Sequence, residues 1–438
     1  MCSIRRVWFC RTCLPLTSLM VWILFFAVPT IAAESSSMPL SVDWLVEEVI
    51  SRNAGLTAEQ LRAQAKNQLI VSVGALDDPR VNYSIAPQSI GNHIPSNFGN
   101  ALGIRQIVQL SQSIPWPGKR SLRSERMEAE AEVALFSYED TRLGLISESR
   151  LLWAQWWYVD EALAANEEHL RLSAELRVVA ETQYSNGIGL QQDVLQIQTH
   201  EVQLQHQQIV LEQGQRRLQS SINHLLNQAP ASSIGPARGE PDVPELPGEE
   251  VMRRWLVESH PSLRQLESES NVARLNMQLI EKDDYPDLQF NLGYNELWNA
   301  SELRLLVGVS LNIPLDFGKR SSRKAAASYE YHSVLSDIVN LRSALNAELE
   351  TQLSYLEQAD HGIQLIETEL LPRAQQTVNA ALANYEGGGG NFTALIEAQG
   401  LLLDMELLLA SSFAERFVAI AEIDRLCGGR LWLAGGER

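Results

Sequence analysis

The chain has 438 residues, with 54 acidic side chains against 35 basic ones and a formal charge of −19. An acidic excess of that size excludes a nucleic-acid binder, which needs clustered cations to neutralise phosphates. Of four cysteines, Cys2, Cys10 and Cys13 lie at the extreme N-terminus, so a chain cleaved behind them keeps only Cys427 and cannot form an internal disulfide.

The first 33 residues read as a secretory signal. Arg5, Arg6 and Arg11 form a basic start, an apolar run extends from Leu14 to Val28, and Thr30-Ile31-Ala32-Ala33 offers small residues for cleavage. The apolar run is short for a membrane-spanning helix of roughly 20 residues. Cleavage removes three arginines and no acid, which takes the charge from −19 to −22. No cysteine stands at the cleavage site to carry a lipid anchor.

From Ser41 to about Ala75 an apolar stripe of Leu45, Val49, Leu56, Leu61 and Leu69 predicts a helix, stopped by Asp77-Asp78-Pro79. Val81, Tyr83 and Ile85 then alternate with Arg80, Asn82 and Ser84. After a loop rich in Gly, Asn, Pro and Ser, a second alternating run sets Leu102, Ile104, Val108, Leu110 and Ile114 against Arg105, Gln109, Ser111 and Ser113. The pair predicts a hairpin with one apolar and one wet face. Next comes Ile114-Pro115-Trp116-Pro117-Gly118-Lys119-Arg120-Ser121, where a strand stops, the chain turns and a long helix starts. That helix runs to about Tyr184, some 66 residues or ~100 Å at 1.5 Å per residue. A rod of that length needs a coiled-coil-like array around it. Tyr184-Ser185-Asn186-Gly187-Ile188-Gly189 reverses the chain, glycine suiting a left-handed cap. A glutamine-rich helix returns to about Asn227, and five prolines between 229 and 247 mark a linker.

The second half repeats the first. A helix from Val251 to Asp284 leads to Tyr285-Pro286-Asp287. Two alternating strands follow, one through Leu288, Phe290, Leu292 and Tyr294, the other from Leu303 to Ile313. Ile313-Pro314-Leu315-Asp316-Phe317-Gly318-Lys319-Arg320-Ser321 repeats the strand-to-rod turn. A second rod is expected through to Tyr385, with Leu335, Ile338, Leu341, Leu345 and Leu349 on its seam. Tyr385-Glu386-Gly387-Gly388-Gly389-Gly390 reverses the chain into a last helix from Phe392 to about Leu426. The organisation is therefore signal 1–33, first repeat 34–228, linker 229–247, second repeat 248–427 and tail 428–438. Each returning helix stacked end to end with a leading helix matches one rod, which leaves all four strands at one end.

Four strands cannot close a membrane barrel, since such barrels begin at about 8, and lipid tolerates no open sheet edge. Three copies would supply 12 strands and one shared pore. A soluble antiparallel sheet packed on helices explains the alternation equally well; the paired hairpins and the two long rods favour the barrel.

Taken in order, Leu-Asp-Asp-Pro-Arg at 76–80, Ser-Gln-Ser-Ile-Pro-Trp-Pro-Gly-Lys-Arg at 111–120, Tyr-x-x-Gly with Asp-Val-Leu-Gln at 184–196, Tyr-Pro-Asp-Leu at 285–288, Ile-Pro-Leu-Asp-Phe-Gly-Lys-Arg at 313–320 and Tyr-x-x-Gly at 385–388 resemble the TolC-like outer-membrane efflux family. The turn forms are most similar to its heavy-metal (cobalt-zinc-cadmium) branch. The resemblance implies a mainly α homotrimer whose 12-stranded β-barrel, four strands per chain, continues into a long α-helical barrel in the periplasm of a Gram-negative bacterium. It implies a passive exit duct, not an enzyme, that carries heavy-metal cations among its substrates. The implied partners are outer-membrane lipid, a periplasmic adaptor (membrane fusion) protein and an inner-membrane pump of the resistance-nodulation-division type. It also implies adaptor docking at the tips marked by Tyr184, Gly187, Tyr385 and Gly388, and a pore constriction at Asp193 and Glu397, shortly after the two turns. Where some members carry a latch arginine, this chain has Gly390. The alternative for Asp193 is an ordinary first-turn acid facing a helix dipole.

No hydrolase, zinc-protease or phosphate-loop motif is present, no cofactor is expected, and His200 and His206 do not share a helical face for a metal. Trp153, Trp156, Trp157 and Tyr158 read as helix packing. Tyr83, Tyr294 and Trp298 suit either interfacial girdles or sheet packing. The competing functions are a periplasmic adaptor, which would carry one helical hairpin between halves of a small β domain, and a metal-dependent enzyme, whose ligands are missing.

Overall fold

The computed structural model describes residues 39–86, 105–237, 239, 241–295, 304–315, 317–387 and 390–435. The signal segment, residues 87–104 with Leu102 and Ile104 of the expected second strand, residues 296–303 with Trp298, and Gly388 lie outside them. The described chain runs α1 (Val42–Arg52), α2 (Ala54–Gly74), β1 (Arg80–Ala86), β2 (Arg105–Ile114), α3 (Lys119–Ser185) and α4 (Gln191–Leu225). The second repeat is α5 (Glu249–Ser259), α6 (Pro261–Lys282), β3 (Leu288–Asn295), β4 (Leu305–Leu311), α7 (Lys319–Leu365), α8 (Leu371–Glu386) and α9 (Phe392–Leu426), followed by α10 (Arg430–Gly435).

Each leading helix is broken where a single one was expected. In the first repeat Asn53 interrupts it, with extended backbone and its side-chain oxygen accepting the Leu56 N–H at 3.0 Å. Its amide also donates to the Leu225 carbonyl at 3.2 Å, so the break is tied to the end of α4. In the second, His260 takes the same place before Pro261, and its Nδ1 accepts the Ser262 N–H at 3.3 Å. Asparagine is a strong cap, and proline suits the first helical turn. The second rod is not one α-helix either. Residues Ile366–Leu370 form a π-turn between α7 and α8. It ends two residues before Pro372, whose ring would meet the Thr368 carbonyl in a regular helix; one wider turn relieves that contact.

The lengths match closely. The 35, 11 and 21 residues of α4, α1 and α2 together equal the 67 of α3. In the second repeat α9, α5 and α6 have 35, 11 and 22 residues, equal to the 68 from Lys319 to Glu386. α3 packs along α4, α2, α6 and α9, and α9 also packs on α7 and α8.

The main core lies where α1, α3, α4 and α9 meet, around Leu45, Val49, Trp153, Trp156, Trp157, Ile222 and Phe417. The tryptophans are packing residues, as expected. Trp153 Nε1 donates to the Leu40 carbonyl at 2.9 Å and Trp156 Nε1 to that of Gly235 at 3.1 Å, which satisfies the polar ends of buried rings. A second core gathers Met252, Leu256, Leu263, Leu349, Ile420, Ile423 and Leu426. Linker and tail both take part: Ile234, Val243 and Leu246 pack on these cores, and α10 buries Leu431 and sets Trp432 against both.

The four strands form one antiparallel sheet in the order β1-β2-β3-β4. Register follows the alternation. Val81, Leu110, Leu292 and Val307 share one rung, and Tyr83, Val108, Tyr294 and Leu305 another. The alternate rungs join Asn82, Gln109, Gly293 and Leu306, and Arg80, Ser111, Asn291 and Gly308.

Candidate functional site

Two places carry the chemistry, the sheet and the helical tips. One face of the sheet is almost wholly apolar: Val81, Tyr83, Ile85, Val108, Leu110, Phe290, Leu292, Tyr294, Val307 and Val309 are all exposed on it. The other face is polar and joined across strands. Gln109 Nε2 donates to Asn291 Oδ1 at 3.1 Å, and Asn291 Nδ2 donates to Ser310 Oγ at 2.7 Å. β1 and β4 are the sheet's edges. A sheet with an exposed greasy face, a wet face and two unpaired edges is not stable alone in water or in lipid. No helix of the described residues is long and apolar enough to cross a membrane.

At the first tip, α3 ends at Ser185 and Gly187 takes φ 75°. The N–H groups of Ile188 and Gly189 both donate to the Gln183 carbonyl at 3.0 Å, closing the helix end. Tyr184 is exposed there. At the second tip α8 ends at Glu386, and Asn391 caps α9 by accepting the Thr393 N–H at 3.0 Å. Gly390 is required for close approach: a Cβ there would lie 2.7 Å from the backbone of Asn384 and Tyr385. This turn therefore leaves no room for an arginine at 390.

The five described residues of the six singled out from sequence do not converge on one spot. Tyr385 is buried against Phe392 (ring centroids 4.9 Å apart) with Ala180, Ile197 and Leu395 around them. Asp193 is only 9 % exposed. Burial raises the Tyr385 phenol above its ordinary pKa, and the charge of Asp193 raises it further. The Tyr385 hydroxyl is buried without a hydrogen-bond partner among the described residues. Glu397 is exposed and lines a groove of about 510 Å³ between α4 and α9, with Gln196, Thr199, His200 and Thr393. Thr393 Oγ1 donates to Gln196 Oε1 at 3.0 Å across this groove. Asp193 and Tyr385 thus belong together, Glu397 lies apart from them, and Tyr184 and Gly187 face solvent on the first turn.

Sequence reasoning placed Gly390 in the reversing turn without its close backbone approach, and passed over Asn53 and His260 as structural residues; the Asn and the His-Pro pair at matching places in the two repeats were the available signals. It also gave no role to Lys119, although the doubled Gly-Lys-Arg was in view. Lys119 is 2 % exposed, and its Nζ lies 3.0 and 3.2 Å from the two Asp287 carboxylate oxygens and 3.2 Å from Asp283 Oδ1. Among the described residues no group of three or more His, Cys, Asp or Glu could hold a metal ion.

Two strand pairs at the base of two very long helical hairpins, duplicated in one chain, define the protomer fold of an outer-membrane channel. The solved channels bear this out across the chain. OprN matches with TM-score 0.76 at 18 % identity, over 89 % of this chain and 90 % of that one. CusC matches at 0.77 and 15 %, over 90 % and 93 %. VceC of Vibrio cholerae matches at 0.75 and 14 %, over 89 % and 96 %. Residues 255–429 match the family model described as outer membrane efflux protein. The cobalt-zinc-cadmium resistance protein CzcC of Cupriavidus metallidurans (strain ATCC 43123 / DSM 2839 / NBRC 102507 / CH34) is 23 % identical over 193 residues. That match spans 44 % of this chain and 46 % of the relative, about half the length of each. Two hairpins that each follow a strand pair are not the plan of a periplasmic adaptor, and that alternative falls.

Proposed function

We propose that three copies of this chain form an exit duct of a tripartite efflux system in the outer membrane. The 12 strands close into a barrel, and the rods continue it into the periplasm. The observation that carries this reading is the four-stranded sheet with one apolar face, one polar face and both edges unpaired. Closure by copies of itself removes the edges and turns the apolar face to lipid. A periplasmic adaptor docks at the tips around Tyr184, Gly187, Tyr385 and Gly388, and an inner-membrane pump of the resistance-nodulation-division type drives transport. Heavy-metal cations are the substrate class, supported by the likeness to the cobalt-zinc-cadmium resistance protein.

The test is made on the detergent-extracted membrane protein and in cells that lack their own channel. The protein is expected to extract with the outer membrane and run as a trimer. An insertion in either tip, at 185–189 or 386–390, is expected to abolish cobalt, zinc and cadmium resistance while the trimer persists. A monodisperse monomer of the same helix content overturns the reading.

The acids at the tips supply the constriction in this proposal. Exposed Glu397 acts on ions directly, whereas Asp193 beside Tyr385 is reached only when the tip opens. In planar bilayers Glu397→Gln alone is expected to lower cation preference, and adding Asp193→Asn to weaken block by multivalent cations further. Unchanged selectivity and block in an assembled double variant would leave Asp193 as a plain first-turn acid.

A further inference from the structure

The two repeats follow one plan, with one more residue between Ile-Pro and Gly-Lys in the second, but are finished unequally where the sheet meets the rods. Gly118 and Gly318 both open a rod at φ 90°, and Ser121 and Ser321 both return a hydroxyl to that glycine's carbonyl at 3.0 Å. Around the first copy the lysine and the tryptophan both have partners. Lys119 is buried on Asp287 and Asp283. The Trp116 N–H donates to Asp287 Oδ1 at 2.8 Å, and the Trp116 ring stacks on Tyr285 at 5.1 Å. Around the second copy, Leu315 is 65 % exposed, and Lys319 is exposed on the rim of a cavity it shares with Asp283 and Asp287, without an ion pair to any acid among the described residues. The difference has a plain cause. The first copy's partners come from the segment leading into β3, the next strand of the sheet, and β4 has no next strand.

The ladders identify what is missing. Ser111 and Ser310 each stand three residues before the Ile-Pro that ends their strand; Ser111 faces Arg80, and Ser310 faces Gln289. Arg80 is therefore the counterpart of Gln289. Counting back, Asp78 is the counterpart of Asp287, and Leu76 of Tyr285. Asp78 is exposed, with no cation in reach among the described residues, and Leu76 is an exposed leucine. Between the repeats Ser113 faces Gln289. Carried over to β4, the same register puts Asn312 opposite Arg80, Ser310 opposite Asn82 and Val309 opposite Tyr83. It sets Leu311, Val309 and Val307 beside Val81, Tyr83 and Ile85 on the apolar face. A slip of one residue would turn the whole set to the wrong face.

Resting on the trimeric channel reading, we infer that β4 of one copy pairs with β1 of the next in this register, locked by Lys319 on Asp78 of the partner subunit. Leu315 packs against Leu76 of the partner subunit, where the first copy stacks Trp116 on Tyr285. Charge complementarity and the repeat's own filled junction both name the occupant as a second copy of this chain. A register slipped by two residues would keep the faces but strand the lysine away from the carboxylate, so the ion pair selects between the two.

The full-length protein in detergent tests this with paired cysteines on the polar face; buried Cys427 is left in place. Asn82→Cys with Ser310→Cys is expected to give covalent dimers and trimers on oxidation, since directly opposed positions approach to about 5 Å and diagonal ones to about 7–8 Å. Ser84→Cys with Ser310→Cys is expected to give several-fold less. Lys319→Glu and Asp78→Lys are each expected to cut the heat-resistant trimer fraction, and their combination to restore it. Cross-linking that favours the Ser84 pair, or a combined charge variant no better than either single one, overturns the pairing in an intact trimer. A wild-type chain that is monomeric overturns the channel reading and the pairing with it.

Discussion

His260 closes the first turn of α6 with its ring buried. Nδ1 accepts a backbone N–H, so the ring is needed neutral, and Nε2 has no partner among the described residues. Its pKa is lowered from 6.5 to about 4, chiefly by burial, with Asp140 pulling the other way and Arg425 adding to the lowering. The unfolded chain therefore takes up the proton first. The stability contributed by this group is present above pH 6.5 and is lost as pH falls toward 4, on the order of 3 kcal/mol if the whole shift is realised. Asn53 fills the same position in the first repeat and cannot titrate. His260→Asn is expected to keep the cap and to flatten that part of the acid limb. Thermal unfolding of both proteins from pH 7 to 4 measures it; parallel curves would rule His260 out as the acid-sensitive group. Glycine acts at this scale too. Gly390 is fixed by a backbone approach and Gly118 and Gly318 by positive φ, so these are separate demands on the same residue type.

At the scale of elements, α10 ties the last turn of α9 to the long rod. Asp424 Oδ1 accepts the Leu431 N–H at 2.7 Å, its other oxygen accepts from Arg150 Nη1 at 2.6 Å, and the Arg150 guanidinium lies 3.6 Å from the centre of the Trp432 ring. Desolvation lowers the Arg150 pKa, and the Asp424 charge and hydrogen bond oppose that shift. Trp432→Ala opens both cores at once and uncovers this pair. A loss of about 2–3 kcal/mol is expected in denaturant unfolding; a loss within 0.5 kcal/mol, the usual range for surface changes, would make α10 an appendage. The sequence concealed this because residues 428–438 carry too few apolar positions to show a period. It displayed the strands and rods openly, since a period of two over four strands and a proline-free run such as 119–184 leave little choice. The breaks at Asn53, His260 and Pro372 were less legible. Each interrupts a stripe that continues in phase on both sides, so hydrophobic periodicity runs across the gap, and only capping chemistry or a lone proline marks it. The tip acids were found by resemblance. Their unlike surroundings come from packing between α4, α8 and α9, which no local pattern encodes.

For the molecule as a whole, the equality of 67 with 67 residues and 68 with 68 acts as a ruler. Each rod is measured against a return helix and a leading helix laid along it, and the caps at Asn53 and His260 fix where one ends and the other begins. Seven residues removed from the tip half of α4 alone would leave α3 overhanging and the tip cluster of Ala180, Ile197, Tyr385 and Phe392 out of step. Seven removed at one level from each of α3, α4, α9 and the run from α7 to α8 would keep every seam in phase, because a heptad is close to two turns. The matched variant is expected to keep wild-type thermal stability and to give particles about 10 Å shorter in electron micrographs. The single deletion is expected to unfold at the tip and to be nicked there by protease. Comparable stability in the two would mean that the rods do not need equal partners. In the proposed duct, the span bridged across the cell envelope is thus adjustable only in quanta of two helical turns, and only when four helices change together.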